Sequence, residues 1–146
     1  MKREPINLLF DETVHQALQL AWIQSNPGTT GGVEQGGFIL QDADENLSVE
    51  RWPIGKSNLI AVPNHDNCRF KGLDIVASFH THPNTGDDYN QEPSFSDIDA
   101  VCDDINLKGN YYIGEFVLSK DWIYLIQPTG NVLDLIETTS LFGHVE

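Results

Sequence analysis

The sequence predicts an α+β fold of mixed α/β type, a curved β-sheet flanked by helices within a single domain spanning 1–146. Two patterns carry this reading: apolar spacing switches between the helical period and the strand period along the chain, and Gly, Pro, Asn and Asp clusters punctuate each switch. The size agrees, because 146 residues that are 40% hydrophobic and 10% aromatic bury one core of ordinary dimensions. No internal repeat or low-complexity tract interrupts the pattern.

Taken in order, Pro5 to Phe10 reads as a short strand, and Asp11 as the N-cap of a helix carrying Val14, Leu18, Ala21 and Trp22 on one face. That helix stops before Asn26-Pro27-Gly28. Gly36 to Leu40 reads as a strand, Asp42 to Asn46 as a turn, and Leu47 to Ile54 as the hairpin partner. Asp74 to His82 reads as a further strand, apolar at Ile75, Val76 and Ala77. A polar loop from Asn84 to Pro93 leads into a helix with Ile98, Val101, Cys102 and Ile105 along one side. Closing strands fit Tyr111 to Leu118, Trp122 to Gln127, and Val132 to Ile136 after the turn at Pro128-Thr129-Gly130.

Charge and cysteine usage narrow the function classes. With 8 basic against 22 acidic residues, the net charge of −14 repels phosphate backbones and anionic lipid, so neither nucleic acid nor a membrane is an expected partner. No apolar run is long enough to span a bilayer. No apolar stretch of signal-peptide length follows Met1-Lys2-Arg3-Glu4-Pro5, and the expected location is cytoplasmic. Cys68 and Cys102 are too few for a disulfide framework; both are expected to be reduced and structural, Cys102 on the buried face of its helix.

Three places in the sequence carry chemistry: Glu34 in Glu34-Gln35-Gly36-Gly37, the pair in His80-Thr81-His82-Pro83, and the cluster Ser94-Phe95-Ser96-Asp97-Ile98-Asp99. Two histidines one residue apart on a strand point to the same side, and a nearby carboxylate completes a three-ligand set. Such a set leaves one tetrahedral position of zinc for water, which the ion acidifies towards a pKa of about 7, while a separate Glu serves as general base. Gly36 and Gly37 predict a close backbone approach beside Glu34, by a substrate strand or by the metal loop. His15, His65 and His144 stand alone and read as solvated surface, as do Asp87, Asp88 and Glu92 in the polar loop. Trp22, Trp52 and Trp122 read as packing residues.

The ordered set resembles the JAMM or MPN-plus family of zinc isopeptidases, the JAB domains, whose signature is an early strand Glu, then His-x-His-Pro, then an apolar residue, Ser-x-x-Asp and a helix. The resemblance extends over nearly the whole chain and implies the JAB/MPN, cytidine-deaminase-like architecture. It implies one Zn2+ per chain, on His80, His82 and an Asp, with Glu34 as general base and a Ser stabilising the oxyanion. The interval after the second His is longer than the family usually has, and two overlapping matches follow. Ser96 with Asp99 is preferred because Phe95 and Ile98 complete an apolar-Ser-x-apolar-Asp pattern, and Ser96 with Asp99 also reads as a capping box; Ser94 with Asp97 is the alternative.

What the resemblance implies for function is a stand-alone, prokaryote-like hydrolase that cleaves after the C-terminal tail of a ubiquitin-like protein, as in bacterial ubiquitin-like conjugation systems of defence operons. The tail would add along a sheet edge, with the loop Asn84 to Pro93 as a clamp. Two other readings remain. One is a non-catalytic MPN scaffold; the other is a JAB-type peptidase or toxin-associated domain acting on a different substrate.

Overall fold

The structure, a computed structural model, describes residues 2–143. It is a mixed α/β arrangement in which an open seven-stranded sheet is covered by helices on both faces. The elements are α1 (Pro5–Phe10), α2 (Glu12–Gln24), β1 (Gly36–Gln41), β2 (Leu47–Arg51), β3 (Arg69–Phe70), β4 (Leu73–Thr81), α3 (Phe95–Cys102), a 3-10 turn (Ile105–Leu107), β5 (Glu115–Leu118), β6 (Trp122–Ile126), β7 (Val132–Glu137) and α4 (Thr138–Phe142). Strand order is β2-β1-β4-β5-β6-β7, with β3 paired to β4 off this path. All pairs are antiparallel except β4 with β5, which α3 joins by a crossover. Register shifts at Ile39/Leu40 in β1 and Ile123/Tyr124 in β6 bend the sheet, because a bulge adds local twist.

One face of the sheet packs Phe79, Phe116 and Leu125 against Leu9, Val14 and Leu18 of α1 and α2 and Phe142 of α4. The opposite face packs Phe38, Ile75, Val117 and Tyr124 against Val101 of α3, Leu107 and Trp52. Asp11 caps α2 as expected, its carboxylate accepting from the Val14 N–H, an interaction worth about 1 kcal/mol.

Three expectations about elements are corrected. Pro5 to Phe10 is helical: Pro5 sits in the first turn, where its fixed φ suits a helix, and the consecutive Leu8 and Leu9 are both buried, which alternating strand side chains would not allow. The helix α3 starts two residues earlier than a Ser96 cap requires. Ser94 is its N-cap, and Ser94 and Asp97 form a reciprocal capping box. That helix ends at Cys102, so Ile105 lies beyond it and is 80% exposed, and Cys102 is only half-buried. Among the described residues no helix is long and apolar enough to cross a membrane.

Candidate metal centre

The site forms where β1 and β4 run side by side. Gly36 pairs with His80, and just before β1 the chain is stitched to β4 by the Thr81 N–H donating to Gln35 O (2.9 Å) and the Gln35 N–H donating to Thr81 Oγ1 (3.0 Å). Glu34 is thereby set beside Thr81, the strand residue that separates the two histidines. Its backbone is held on the other side by the segment after β2, through Glu34 N–H to Lys56 O (2.7 Å) and Gly55 N–H to Glu34 O (2.8 Å). Gly36 and Gly37 do permit a close approach, but the neighbours belong to the sheet. A Cβ on Gly36 would meet Trp52 Cε3 at 2.5 Å and Phe79 O at 2.7 Å, and one on Gly37 would meet Glu50 O at 2.7 Å. Because β1 lies between β2 and β4, it offers no edge to a substrate strand.

Glu34, His80 and His82 are all buried, and their ligand atoms lie within 4.8 Å of one another, a group that could hold a metal ion. The two imidazoles face each other through Nε2, 3.1 Å apart. Asp97 closes the triangle, with Oδ1 3.4 Å from His80 Nε2 and Oδ2 3.2 Å from His82 Nε2. Both other ring nitrogens have acceptors. His80 Nδ1 donates to Glu115 Oε2 (2.7 Å), and His82 Nδ1 donates to the backbone carbonyl of Gln91 (3.2 Å). When each imidazole is neutral with its proton on Nδ1, the form that binds a metal, both Nε2 lone pairs point into the shared space; a proton on Nε2 instead donates to Asp97. Two ligands on one tetrahedral ion with bonds of about 2.0–2.2 Å lie about 3.3–3.6 Å apart, near the Nε2–Nε2 separation, and Asp97 offers a different oxygen to each ring.

The structure sets Asp97 beside the two histidines, and Asp99, the acid of the preferred sequence register with Ser96, away from them. Asp99 and Ser96 are exposed, and Asp99 groups instead with Cys102 and Asp103 on the outer side of α3. With Ser94 as N-cap, Asp97 turns back toward the sheet. Residue 99, two positions on, is rotated by about 200° around the helix and faces away. Ser94 Oγ accepts from the Asp97 N–H at 3.0 Å, leaving its own proton to donate, and Ser94 lines the cavities on both sides of the site.

Electrostatics follow from burial. Burial raises the Glu34 carboxyl above the ordinary glutamate range, against the opposing pull of the two histidines. Burial likewise disfavours charge on His80, but Glu115 and Asp97 outweigh it and hold its pKa well above that of an ordinary histidine. For Asp97 burial is again outweighed, here by hydrogen bonds from both histidines, and its carboxyl lies far below the usual range.

Two cavities of about 210 Å3 each meet at Glu34, Asn58, Ser94 and Asp97. One is partly apolar, walled by Leu59, Ile60, Val62 and Trp52. The other is polar, walled by Ser57, Asn84, Asp88 and Tyr89. Asn84 is 1% exposed and ties the loop down, donating to Gly32 O (3.1 Å) and Ser57 O (2.8 Å) and accepting from the Gly32 N–H (2.7 Å).

Of the remaining candidates, Asp87, Asp88 and Glu92 are exposed. His15 bonds Leu141 O (3.0 Å) beside Phe142, and His144 lies outside the described residues. His65 is not solvated as expected: its Nε2 bonds Asp104 Oδ2 (2.7 Å), its Nδ1 bonds Pro63 O (2.7 Å), and its ring packs on Phe38. Trp22 and Trp52 are buried in the two cores. The residues that sequence reasoning missed are Glu115 and Gln91. Neither belongs to a motif; Glu115 reaches His80 only through the parallel β4–β5 pairing, which sets Ser78 opposite Glu115. Comparison with family models, with curated proteins and with solved structures gave no match.

Proposed function

We propose that the chain is a zinc-dependent peptidase or isopeptidase of JAB/MPN architecture, cleaving after the C-terminal tail of a ubiquitin-like protein. The observation that carries this reading is the convergence of His80 Nε2, His82 Nε2 and Asp97 on one space beside the buried Glu34. Two imidazoles and a carboxylate form a donor set that suits zinc and leaves a position open. Asp97 replaces Asp99 as the third ligand, because its oxygens approach both Nε2 atoms.

Zinc, when bound, supplies Lewis acidity that acidifies water and polarises an amide carbonyl. Glu34, held above the ordinary carboxyl range by burial, takes the proton of the attacking water and returns it to the leaving amine. Ser94, whose hydroxyl proton is free and which lines both cavities, donates to the developing oxyanion, the role that the resemblance gives to the motif serine. The partly apolar cavity receives the tail residues before the scissile bond. The polar one, with Asp88 on its wall, receives the amine side.

The test is metal content of the purified protein beside a His80→Ala/His82→Ala double variant, both verified as folded by circular dichroism. About one zinc per chain, absent from the double variant, is expected. Cleavage of ubiquitin-like fusions by the wild type and not by Glu34→Gln, with zinc retained in that variant, then separates hydrolysis from binding. A folded wild type without zinc would move the chain to the scaffold reading. Zinc without cleavage of any ubiquitin-like fusion would move it to a peptidase of other substrates.

A further inference from the structure

Behind His80 lies a buried polar chain that no motif announces. Glu115 Oε2 accepts from His80 Nδ1 (2.7 Å), Glu115 Oε1 accepts from Ser78 Oγ (2.8 Å), and Ser78 Oγ lies 2.7 Å from Tyr112 Oη. Ser78 has one proton and gives it to Glu115, so Tyr112 donates to Ser78. Tyr112, Ser78 and His80 are each no more than 2% exposed and Glu115 is 6% exposed, on the face of the sheet whose apolar core includes Phe38, Ile75, Val117 and Ile126. Placing a carboxylate there costs several kcal/mol in general, and a serine hydroxyl alone does not compensate an ion. The compensating partner is the imidazole, and beyond it the cation that the imidazole would face.

We propose that Glu115 is a positioning residue of the metal centre: it fixes the Nδ1–H form of His80, aims Nε2 at the ion and supplies a negative charge behind the ligand. This rests on the metal reading given above. The position is built for that task. Ser78 and His80 alternate onto the same face of β4, and the parallel register sets Glu115 of β5 opposite Ser78, so the carboxylate bridges both without leaving the sheet. A carboxylate on the far nitrogen raises the ligand's basicity and locks the ring, and losing such a partner typically weakens metal binding about 10–100-fold. Asp97, by contrast, stands on the ion side of both rings.

The experiment titrates Zn2+ into the full chain in competition with a chromophoric chelator, for the wild type, Glu115→Gln and Glu115→Ala, with thermal unfolding of each zinc-free protein recorded alongside. Gln is isosteric: its oxygen still accepts from His80, and its amide donates to Ser78 Oγ, which accepts on a second lone pair beside the bond from Tyr112, so the packing is kept while the charge is lost. Glu115→Gln is expected to bind zinc about 10-fold more weakly and Glu115→Ala towards 100-fold, with the melting temperature of zinc-free Glu115→Gln close to that of the wild type. Wild-type affinity in a folded Glu115→Gln would overturn the proposal while leaving the metal site standing. A wild type that takes up no zinc would overturn the metal reading and this inference with it. Should the variants not fold, 15N spectra of the zinc-loaded wild type decide: zinc on His80 Nε2 with the proton on Nδ1 is expected, and zinc on Nδ1 would overturn the assignment.

Discussion

The two histidines of the site are one residue apart in sequence but are held by different kinds of structure. His80 lies inside β4, paired to Gly36 of β1 on one side and Val117 of β5 on the other, and its outer nitrogen meets a buried carboxylate. His82 lies just past the end of β4, its N–H bound to Leu118 O (2.8 Å) and its outer nitrogen to a backbone carbonyl of the Asn84 to Pro93 loop. The first half is sheet, rigid and charge-assisted; the second half is loop, neutral and dependent on where Gln91 sits. Charge-assisted bonds from a regular sheet hold geometry more tightly than a single carbonyl on a surface connection does. The difference teaches that such a site is anchored at His80 and adjusted at His82, so that a shift of the loop at Gln91 acts on His82 and not on His80.

The largest test of this division is the group that touches both halves. Asp97→Ala removes the carboxylate that comes within 3.4 Å of both Nε2 atoms, and zinc affinity is expected to fall beyond the roughly 10–100-fold that loss of an outer partner causes. Asp99→Ala, on the exposed side of α3, is expected to leave it unchanged. The competition titration that serves for Glu115 reads both, and loss of zinc with Asp99→Ala alone would restore the other register and dissolve the shared corner. Next comes the loop half by itself. Asn84→Ala strips the buried anchor and orphans the Gly32 N–H and two carbonyls, at a cost of about 1–3 kcal/mol. Hydrogen exchange is expected to accelerate across residues 85–93 while the β4 and β5 amides keep their protection; equal acceleration in the strands would show that the two halves do not behave separately.

Much of this division was legible in the sequence, and the illegible part has a common physical origin. The His80 and His82 pair, the polar loop after it and Glu34 before Gly36-Gly37 are local patterns, because strand alternation and turn chemistry act over a few residues. Asp97 against Asp99 was not decidable locally: both satisfy a spacing from a serine, and only the true helix start, at Ser94, determines which carboxylate turns toward the sheet. Pro5 to Phe10 is an apolar run too short to show a period, and tertiary packing of Leu8 and Leu9 decides it. Glu115 is invisible for a stronger reason. Its partner lies 35 residues away across a parallel strand pair, and a lone Glu before an apolar strand reads like any strand-end carboxylate.

The smallest effect expected is also the one that separates placement from chemistry in the loop half. His82 takes its acceptor from the main chain of Gln91, so no side-chain substitution removes that carbonyl; it only loosens where the carbonyl sits. The Gln91 side chain performs the holding, donating from Nε2 to Asn84 O (2.5 Å) and accepting at Oε1 from the Lys120 N–H (3.2 Å), which pins the loop between its own first residue and the middle of the β5–β6 turn. Gln91→Ala therefore costs two exposed or half-buried bonds and keeps the acceptor. Zinc affinity is expected to fall about 3-fold, below the roughly 10-fold of a lost outer partner, with the melting temperature of the zinc-free protein nearly unchanged. A loss as large as that of Glu115→Gln would mean that the loop carbonyl matters as much as the buried carboxylate, and the anchored and adjustable halves would then be equivalent supports of one site.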